Sequence, residues 1–403
     1  MLVVQKFGGT SVGTLERIQA VADRVSRSIK EGHQVVVVIS AMSGETNKLI
    51  EYAKHFSDAP SRSDMDALLS SGERVTSSLL SIALNSMGHK ALSMTGRKAG
   101  IVTSSAHTKA RIESIDPANM HAKLAEGNVI VVAGFQGVNE NGDVTTLGRG
   151  GSDLSAVAIA GALKADLCEI YTDVDGIYTT DPRIESKAQK IEKISYDEML
   201  ELASLGAKVL QNRSVEMAKK LCVNLVCRSS FNDNEGTLIT KEENIMEQPL
   251  VNGIALAKDQ ARLSLEGVVD RPGIASDIFK ALAEADVNVD MIIQTTGHDG
   301  KTDLDFTVSK DELSEAHNVL KPFINGKEIS EITTDDSIAK VSVVGVGMKS
   351  HSGVAAKAFE TMANENINIM MISTSEIKVS MIVAQKYSEL AVQALHDAYE
   401  LDK

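Results

Sequence analysis

Apolar runs alternate with helical patterns along the first part of the chain. We predict strands where Val, Ile and Leu are concentrated, at residues 2–6, 35–40, 129–135, 167–172 and 224–228. Helical spacing predicts one helix with Ile18, Val21, Ala22, Val25 and Ile29 on one face, and others at residues 64–87, 152–163 and 196–203. Mostly apolar strands that alternate with helices predict an α/β fold, in which a mostly parallel sheet is covered by helices.

The pattern changes near residue 229. Residues 229–249 are polar and include Asn232-Asp233-Asn234-Glu235-Gly236, so this stretch predicts a linker. Beyond it the sequence repeats at an offset of 80 residues. The repeated positions are Gly273-Ile274, Phe279 and Val287-Asn288-Val289 in the first copy, and Gly353-Val354, Phe359 and Ile367-Asn368-Ile369 in the second.

Each copy predicts a strand, a glycine turn, an amphipathic helix and a second strand, which together make a small βαβ-type module. Modules of this size bury too little surface to be stable as isolated domains, so we expect them to pack on each other or on a partner chain. The predicted organisation is a first domain at 1–235, a linker at 236–253, and modules at 254–335 and 336–403, which could exchange strands.

Composition narrows the range of partners. The 403 residues include 41 Lys and Arg against 55 Asp and Glu, a formal net charge of −14. This balance argues against nucleic acid or an anionic membrane as the main partner, because both favour clustered basic residues. The longest apolar runs are too short to cross a bilayer, and no signal-peptide pattern precedes the first strand, which predicts a cytoplasmic protein. The spacing of the three cysteines and nine histidines predicts no metal site.

The first candidate for chemistry is Lys6-Phe7-Gly8-Gly9-Thr10-Ser11, between the first predicted strand and the first helix. Adjacent glycines let a backbone approach a bulky anion and direct its N–H groups toward it. The following helix N-terminus adds partial positive charge, and Lys6 adds a full one. The motif is neither a Walker A loop nor GxGxxG, but it predicts phosphate binding at the carboxyl end of a strand.

A second glycine-rich turn is Thr145-Thr146-Leu147-Gly148-Arg149-Gly150-Gly151-Ser152-Asp153. It precedes a predicted helix, for which Ser152 or Asp153 is a suitable N-cap. Arg149 on such a turn can bind a carboxylate or a phosphate through two parallel hydrogen bonds. A kinase needs two anion-binding loops, one for the nucleotide and one for the acceptor.

The third motif runs from Tyr171 to Arg183, with the sequence YTDVDGIYTTDPR. Its Asp-x-Asp-Gly resembles part of an EF-hand, but the ligand spacing is not met, so calcium is not expected. Thr, Asp, Tyr and Arg at the end of a strand are better suited to the edge of a nucleotide site.

A series of motifs ahead of the paired small modules resembles the aspartate kinase family. In chain order they are KFGGTS, SGER, TTLGRGGSD, YTDVDGIYTTDPR and GAKVL. The first part resembles the amino-acid kinase fold, and the tandem modules resemble ACT domains, which sense amino acids in that family. The resemblance extends over nearly the whole chain and includes no homoserine dehydrogenase part, so it implies a monofunctional aspartate kinase.

The resemblance implies roles for individual residues. The residues implied to bind the ATP phosphates and nucleotide are Lys6, Phe7, Gly8, Gly9, Ser40, Thr172, Asp173, Tyr178, Arg183 and Lys208. Those implied to bind aspartate are Thr46, Glu73, Arg149, Gly150, Gly151 and Ser152, with Glu73 facing the ammonium group and Arg149 a carboxylate. Lys6, Asp153 and Lys208 are implied to act in catalysis, with ATP bound together with Mg²⁺.

The implied reaction needs no general base, because a side-chain carboxylate with a reference pKa of about 3.9 is already ionised at neutral pH. It needs positive charge and in-line positioning, because an anion must approach a polyanion. The implied product is 4-phospho-aspartate, a mixed anhydride.

The tandem modules imply feedback by lysine or threonine. By resemblance, the effector would lie where Asp270, Gly273, Ile274, Ala275 and Gln294 meet the second module at Asn366, Ile367, Asn368 and Ile369. The alternative is that the modules serve only to pair chains, and a homodimer or a dimer of dimers is expected. Two rival functions stay open: another kinase of this fold, acting on glutamate, N-acetylglutamate, carbamate or UMP, and a sensor with an inert kinase fold.

Overall fold

The computed structural model describes residues 1–204, 209–245, 249–296, 300–349, 351 and 353–403, which form two compact units. The first unit contains the described residues of Met1–Ile177, Lys190–Ser204 and Lys208–Glu247. The second contains those of Tyr178–Gln189 and Gln248–Lys403. No helix within these described ranges is long and apolar enough to cross a membrane.

The elements of the first unit follow the predicted alternation. Its strands are β1 (Leu2–Phe7), β2 (Gln34–Ile39), β3 (Ala91–Met94), β4 (Ile101–Thr103), β5 (Ile112–Ile115), β6 (Val129–Ala133), β7 (Gln136–Val138), β8 (Val144–Thr146), β9 (Leu167–Thr172), β10 (Lys193–Ser195), β11 (Leu225–Ser229) and β12 (Thr237–Thr240). Its α-helices are α1 (Leu15–Lys30), α2 (Glu45–Phe56), α3 (Arg62–Ser86), α4 (Ala118–Ala125), α5 (Gly151–Leu163), α6 (Tyr196–Ser204) and α7 (Asn212–Leu221).

Eight of these strands form one sheet in the order β10-β12-β11-β9-β1-β2-β6-β3. All neighbours in it are parallel except β11 and β12. This confirms the predicted α/β fold with a mostly parallel sheet. A smaller sheet has the order β5-β4-β7-β8. The predicted linker at 236–253 differs from the structure at its start, because β12 (Thr237–Thr240) pairs with β10 and β11.

One apolar core of the first unit lies between the large sheet and helices α1 and α3. The apolar face predicted for α1 is buried there, with Ile18, Val21 and Val25 packed against residues of β2. The side chain of Thr14 caps this helix by accepting from the backbone N–H of Arg17 at 3.2 Å. Helix α1 therefore begins immediately after the turn that follows β1, and it holds that turn at the sheet edge.

The second unit contains the two predicted modules. Its strands are β13 (Gly253–Val269), β14 (Ile292–Thr296), β15 (Lys301–Ser309), β16 (Glu331–Val344), β17 (Ile369–Thr374) and β18 (Lys378–Ala384). Its α-helices are α8 (Ile274–Glu284), α9 (Leu313–Asn325), α10 (Val354–Asn364) and α11 (Ser388–Ala398). Helices α8 and α10 start after Gly273 and Gly353, whose φ angles of +96° and +107° favour glycine.

One six-stranded sheet joins the modules, in the order β14-β15-β13-β16-β18-β17. The long strands β13 and β16 pair with each other along most of their length, so each takes part in both modules. Each module nevertheless has its own apolar core under its own helices. The prediction that the modules pack on each other is therefore confirmed.

Candidate functional site

The edge of the large sheet where β9, β1 and β2 end collects several of the predicted residues. These three strands are parallel neighbours, so their carboxyl ends meet on one side of the sheet. Lys6 and Phe7 end β1, Ser40 follows β2, and Thr172 ends β9 before Asp173. Ligands of open α/β sheets bind at such an edge.

The turn after β1 needs glycine for space and not for its backbone angles. Gly8 has an ordinary extended φ of −74°. A Cβ at Gly8 would lie 3.3 Å from the Lys6 Nζ, and one at Gly9 would lie 3.1 Å from the carbonyl oxygen of Ala41. The backbone therefore passes closely under the Lys6 ammonium group and beside the loop that follows β2.

Phe7 takes a different part in the site from its neighbours. Its ring is fully buried and stacks on Tyr171 at 4.6 Å between centroids. Its carbonyl oxygen accepts from the Ser40 N–H at 3.1 Å, and the Gly8 N–H donates to the Tyr171 carbonyl at 3.3 Å. Only the backbone of Phe7 is placed to contact a ligand, and its side chain anchors the turn.

An ion pair joins the two glycine loops. The Lys6 Nζ lies 2.5 Å from the Asp153 Oδ1, and both side chains are close to 90% buried, with 11% and 13% exposed. Asp153 lies in the first turn of α5, where the helix dipole also favours a negative charge. The first and second predicted anion-binding motifs therefore meet at one point.

The helix after the second loop begins differently from the prediction. Its N-cap is Gly150, in the left-handed region at φ +68°, so the predicted cap at Ser152 or Asp153 is wrong. A Cβ at Gly150 would also come within 2.6 Å of the Gln211 side chain. Because glycine makes this turn, Gly151, Ser152 and Asp153 all lie buried inside the first turn.

Arg149 is exposed at the tip of this loop. The loop backbone is fastened from the side of α7: the Gln211 Nε2 donates to the Arg149 carbonyl at 2.5 Å, and the Arg213 Nη1 donates to the Leu147 carbonyl at 2.8 Å. The guanidinium of Arg149 is thus accessible on a backbone that is held in place.

Glu73 is buried in α3, with 4% of its surface exposed. Its Oε1 accepts from the Ala41 N–H at 3.1 Å, whereas its Oε2 has no hydrogen-bond partner within the described part of the chain. Gly72 permits this contact, because a Cβ there would lie 2.8 Å from the Ala41 Cβ. Burial raises the pKa of Glu73 to about 7. Thr46, in the first turn of α2, is half-buried.

The third motif is divided between the two units. Thr172 and Asp173 belong to the first unit, where the Thr172 hydroxyl donates to Asp173 at 3.0 Å. Tyr178 and Arg183 belong to the second unit, where Arg183 is paired with Asp181 at 2.6 Å. Lys208 lies outside the described residues.

Within the second unit, the segment Tyr178–Gln189 packs on the second module. The Thr179 hydroxyl lies 2.9 Å from the Nε2 of His396 on α11, and the Thr179 carbonyl accepts from the Ile254 N–H of β13 at 2.7 Å. The Gln393 Nε2 donates to the Ile184 carbonyl at 2.7 Å. A segment predicted to contact the nucleotide is therefore held by a module predicted to sense amino acids.

The predicted effector residues form two separate groups within the chain. Gln294 lies on β14 and Ile369 begins β17, and these strands are the opposite edges of the six-stranded sheet. Five strand spacings of about 4.8 Å separate them by roughly 24 Å. Within one chain Gln294 and Ile369 therefore do not meet, because β13 and β16 pair in the centre of the sheet. The grouping of Asp270, Gly273, Ile274, Ala275 and Gln294 with Asn366, Ile367, Asn368 and Ile369 stays a prediction.

Sequence reasoning missed the residues that support the site. Tyr171, Gln211 and Arg213 hold the two glycine loops through contacts with the backbone or with Phe7. An aromatic residue at the end of a predicted strand was visible in the sequence. Its partner was not, because neither strand order nor register follows from a single strand.

Three matches to known families cover most of the chain. Residues 1–229 match the amino acid kinase family, and residues 262–321 and 341–399 each match an ACT domain. The chain is 62% identical over 407 residues to the aspartokinase of Helicobacter pylori strain J99, with 100% of both chains covered. It is 50% identical over 402 residues to aspartokinase 2 of Bacillus subtilis strain 168, covering 100% of this chain and 98% of the relative.

Solved structures agree with these matches. E. coli aspartokinase III in complex with aspartate and ADP, in the R-state, has a TM-score of 0.79 and 27% identity, with 99% of both chains covered. The same enzyme in complex with lysine and aspartate, in the T-state, has a TM-score of 0.79 and 28% identity, covering 98% of this chain and 99% of that one. The chain therefore belongs to the aspartokinase family, with an amino acid kinase domain followed by two ACT domains.

Proposed function

We propose that this kinase transfers the γ-phosphoryl group of ATP to the β-carboxylate of L-aspartate, giving 4-phospho-L-aspartate and ADP. This is the first step of lysine, threonine and methionine biosynthesis. The observation that carries the proposal is the Lys6–Asp153 ion pair, which joins a loop suited to a nucleotide phosphate to a loop suited to an anionic acceptor. The aspartate and ADP bound to the related E. coli enzyme support the choice of ligands.

The nucleotide half of the proposal uses the edge of the large sheet. Lys6 would contact the phosphates together with the backbone of Phe7, Gly8 and Gly9, with Ser40, Thr172 and Asp173 around them. Tyr178 and Arg183 are proposed to contact the rest of the nucleotide, and Lys208 to add a second cation, on sequence grounds.

Mg²⁺ would bind with the nucleotide and neutralise charge on its phosphates. It requires one or two protein carboxylates at most, because it retains phosphate oxygens and waters as ligands. Asp153 and Asp173 offer carboxylates at the ends of the elements that form this site, so the donor set fits the ion.

The acceptor half uses Glu73 and the second loop. The unpartnered Oε2 of Glu73 is suited to the ammonium group of an amino acid, because a buried carboxylate oxygen gains most from a cationic donor. The exposed guanidinium of Arg149 is suited to a carboxylate, with Gly150, Gly151 and Ser152 directly after it in the chain. Thr46, in the first turn of α2, is proposed to contact the acceptor on sequence grounds. The acceptor oxygen attacks phosphorus while the bond to ADP breaks, and no proton needs to be removed.

Trapping the product tests this reaction. With ATP, Mg²⁺ and hydroxylamine, we expect the protein to form a hydroxamate with L-aspartate and to release ADP in equal amount. Hydroxylamine captures acyl phosphates, so a hydroxamate with glutamate or N-acetylglutamate instead would indicate another kinase of this fold. Hydroxyurea would point to carbamate as acceptor, and ADP release without any trapped product would point to UMP. Neither product with any acceptor would indicate an inert kinase fold. Reactions without an acceptor provide the control.

The ACT modules support regulation by an amino acid, and lysine is bound to the related E. coli enzyme in its T-state. Gln294 and Ile369 lie on strands at opposite edges of the sheet, so a second copy of the chain would be needed to bring these two predicted effector residues together. This supports a homodimer or a dimer of dimers formed through the ACT modules. The packing of Tyr178–Gln189 on α11 further supports an effect on nucleotide binding.

Lysine, threonine or both together are expected to lower the rate at subsaturating ATP, mainly by raising the KM for ATP. Coupling between sites typically changes affinity by about 5–150-fold. Initial rates measured against ATP at fixed effector concentrations check this, with D-lysine as the control for non-specific effects. Rates that do not respond to either amino acid would restrict the modules to pairing chains.

A further inference from the structure

Asp66 is a fully buried carboxylate in the first half of α3, for which the reaction described above has no use. Its oxygens accept from three donors. The His107 Nδ1 lies at 2.7 Å, the Thr108 backbone N–H at 3.0 Å, and the Thr146 hydroxyl donates to the Oδ1. A carboxylate without exposure to water is costly unless such donors surround it, and here they do.

The three donors come from two segments that border the acceptor loop. His107 and Thr108 lie in the connection between β4 and β5. Thr146 is the last residue of β8, immediately before the loop that contains Arg149. Asp66 therefore ties α3 to both segments, and it does so seven residues before Glu73, which places the two carboxylates on the same face of the helix.

The backbone of Thr108 indicates that this arrangement is maintained against strain. Its φ angle is +67°, in the left-handed region that β-branched residues rarely adopt. The hydrogen bond from its N–H to Asp66 holds that conformation. In it, the Thr108 carbonyl oxygen lies 3.4 Å from the position that a Cβ at Gly148 would occupy, so this residue packs directly against the acceptor loop.

Two further contacts fasten the same segment to the loop. The Ala110 N–H donates to the Thr146 carbonyl at 2.9 Å. The Arg213 guanidinium bridges the carbonyls of Leu147 and Ala110 at 2.8 Å and 3.3 Å. Thr108, Ala110 and the start of the acceptor loop thus form one connected structure, with Asp66 as its link to α3.

We propose that Asp66 is a positioning residue for the acceptor site. By joining α3 to the 107–110 segment and to β8, it sets the separation and orientation of Glu73 and Arg149, which bind the two ends of the acceptor. The identity of the acceptor in this inference rests on the proposed function. The link that Asp66 makes between α3, the 107–110 segment and β8 does not depend on it. Asp66 itself does not contact the acceptor.

Replacement of Asp66 tests the proposal. Asp66→Asn and Asp66→Ala are both expected to raise the KM for aspartate by about tenfold or more, since displacement of a binding group by 1 Å can cost up to about 10²-fold. The rise should be larger in Asp66→Ala, because the asparagine side chain retains one acceptor oxygen. The KM for ATP should stay within about twofold in this comparison, because Lys6 and the first glycine turn are not held by Asp66.

Asn85→Leu is the matched control. Asn85 also lies on α3 and joins it to β3, because its amide group donates to the Ala91 carbonyl at 2.9 Å and accepts from the Ala91 N–H at 3.2 Å. This variant should lose thermal stability without a change in either KM. If Asp66→Asn behaves in the same way, its role is only structural and the proposal is overturned.

Hydrogen exchange separates this test from the test of function. In Asp66→Asn, amides of residues 104–110 and 146–150 should exchange faster than in the wild type, whereas those of β1 and β2 should not change. If the exchange rates of residues 104–110 and 146–150 are both unchanged in Asp66→Asn, the proposed link between α3 and these segments is overturned, whichever acceptor the enzyme uses. A wild-type protein that forms no hydroxamate with aspartate, but shows the expected exchange in the variant, overturns the proposed substrate and leaves the link supported.

Discussion

Lys6→Met is expected to lower kcat by a factor of about 10²–10³, the usual effect of removing one group that stabilises charge in a transition state. Lys6 places its ammonium group at the glycine turn, 3.3 Å from the position that a Cβ at Gly8 would occupy. Methionine has a similar length and retains the packing, so the loss isolates the charge. Steady-state rates at saturating ATP and aspartate, together with a melting curve, measure the effect. A kcat within threefold of the wild type would contradict the proposed role.

A second variant is needed to separate the catalytic effect of Lys6→Met from its effect on Asp153, the ion-pair partner of Lys6. Removing one member of a buried ion pair leaves the other charge unpaired, which typically costs about 3–5 kcal/mol. Lys6→Met should therefore also lower the melting temperature, because Asp153 is almost fully buried. In Lys6→Met/Asp153→Asn the unpaired charge is gone, so we expect stability to recover while kcat stays low. Recovery of kcat in the double variant would limit Lys6 to neutralising Asp153.

Glu73→Gln is expected to raise the KM for aspartate by about 10–100-fold, because a hydrogen bond to a charged group contributes about 1.5–3 kcal/mol. The amide has the shape of the carboxylate but not its charge, so the ammonium group loses its ionic partner. The KM for ATP should change little. Glu126→Gln makes the same chemical change on the surface, where Glu126 pairs with Lys123, and should leave both KM values unaffected.

The same residue should give the acceptor affinity a pH dependence. Burial raises the pKa of Glu73 to about 7, so below this pH a proton must leave before the ammonium group can bind. We expect the KM for aspartate to rise about tenfold per unit as the pH falls below 7, since each bound proton must be released. The profile should be flat in Glu73→Gln. A wild-type KM that is constant between about pH 5.5 and pH 7, a range above the reference carboxyl pKa values and below that of an amino group, would contradict this role.

The free energy of unfolding should also depend on the protonation of Glu73, and it should fall as the pH rises. The pKa of Glu73 is raised from 4.5 in the unfolded chain to about 7 in the folded protein, so the folded state binds the proton more tightly. Its contribution to stability is fully present below pH 4.5 and is lost as the pH rises through 7, a loss of roughly 3 kcal/mol. Glu73→Gln should therefore melt at a higher temperature than the wild type at pH 8, but not at pH 4.5.

Much of the fold could be predicted from local patterns. The strand predicted at 167–172 is β9 (Leu167–Thr172), and the predicted apolar face of α1 is buried. Strands covered on both faces are apolar along most of their length, so they stand out without knowledge of their neighbours. Boundaries were less well determined where a glycine changes the backbone direction, as at Gly150, which is left-handed and has the Gln211 side chain packed against it. Gln211 is distant in the chain, so this packing could not be predicted from the local sequence.

The sequence by itself determined the α/β fold, the two repeated modules and the residue types of both glycine loops. The tertiary structure alone decided that Lys6 pairs with Asp153, that Asp66 joins α3 to β8 before the acceptor loop, and that Gln294 and Ile369 lie on opposite edge strands of one sheet. It also decided the raised pKa of Glu73, which depends on the burial of this side chain in the folded protein. Apolar periodicity is a local property, whereas these contacts depend on strand order and register, which are set by residues distant in the chain.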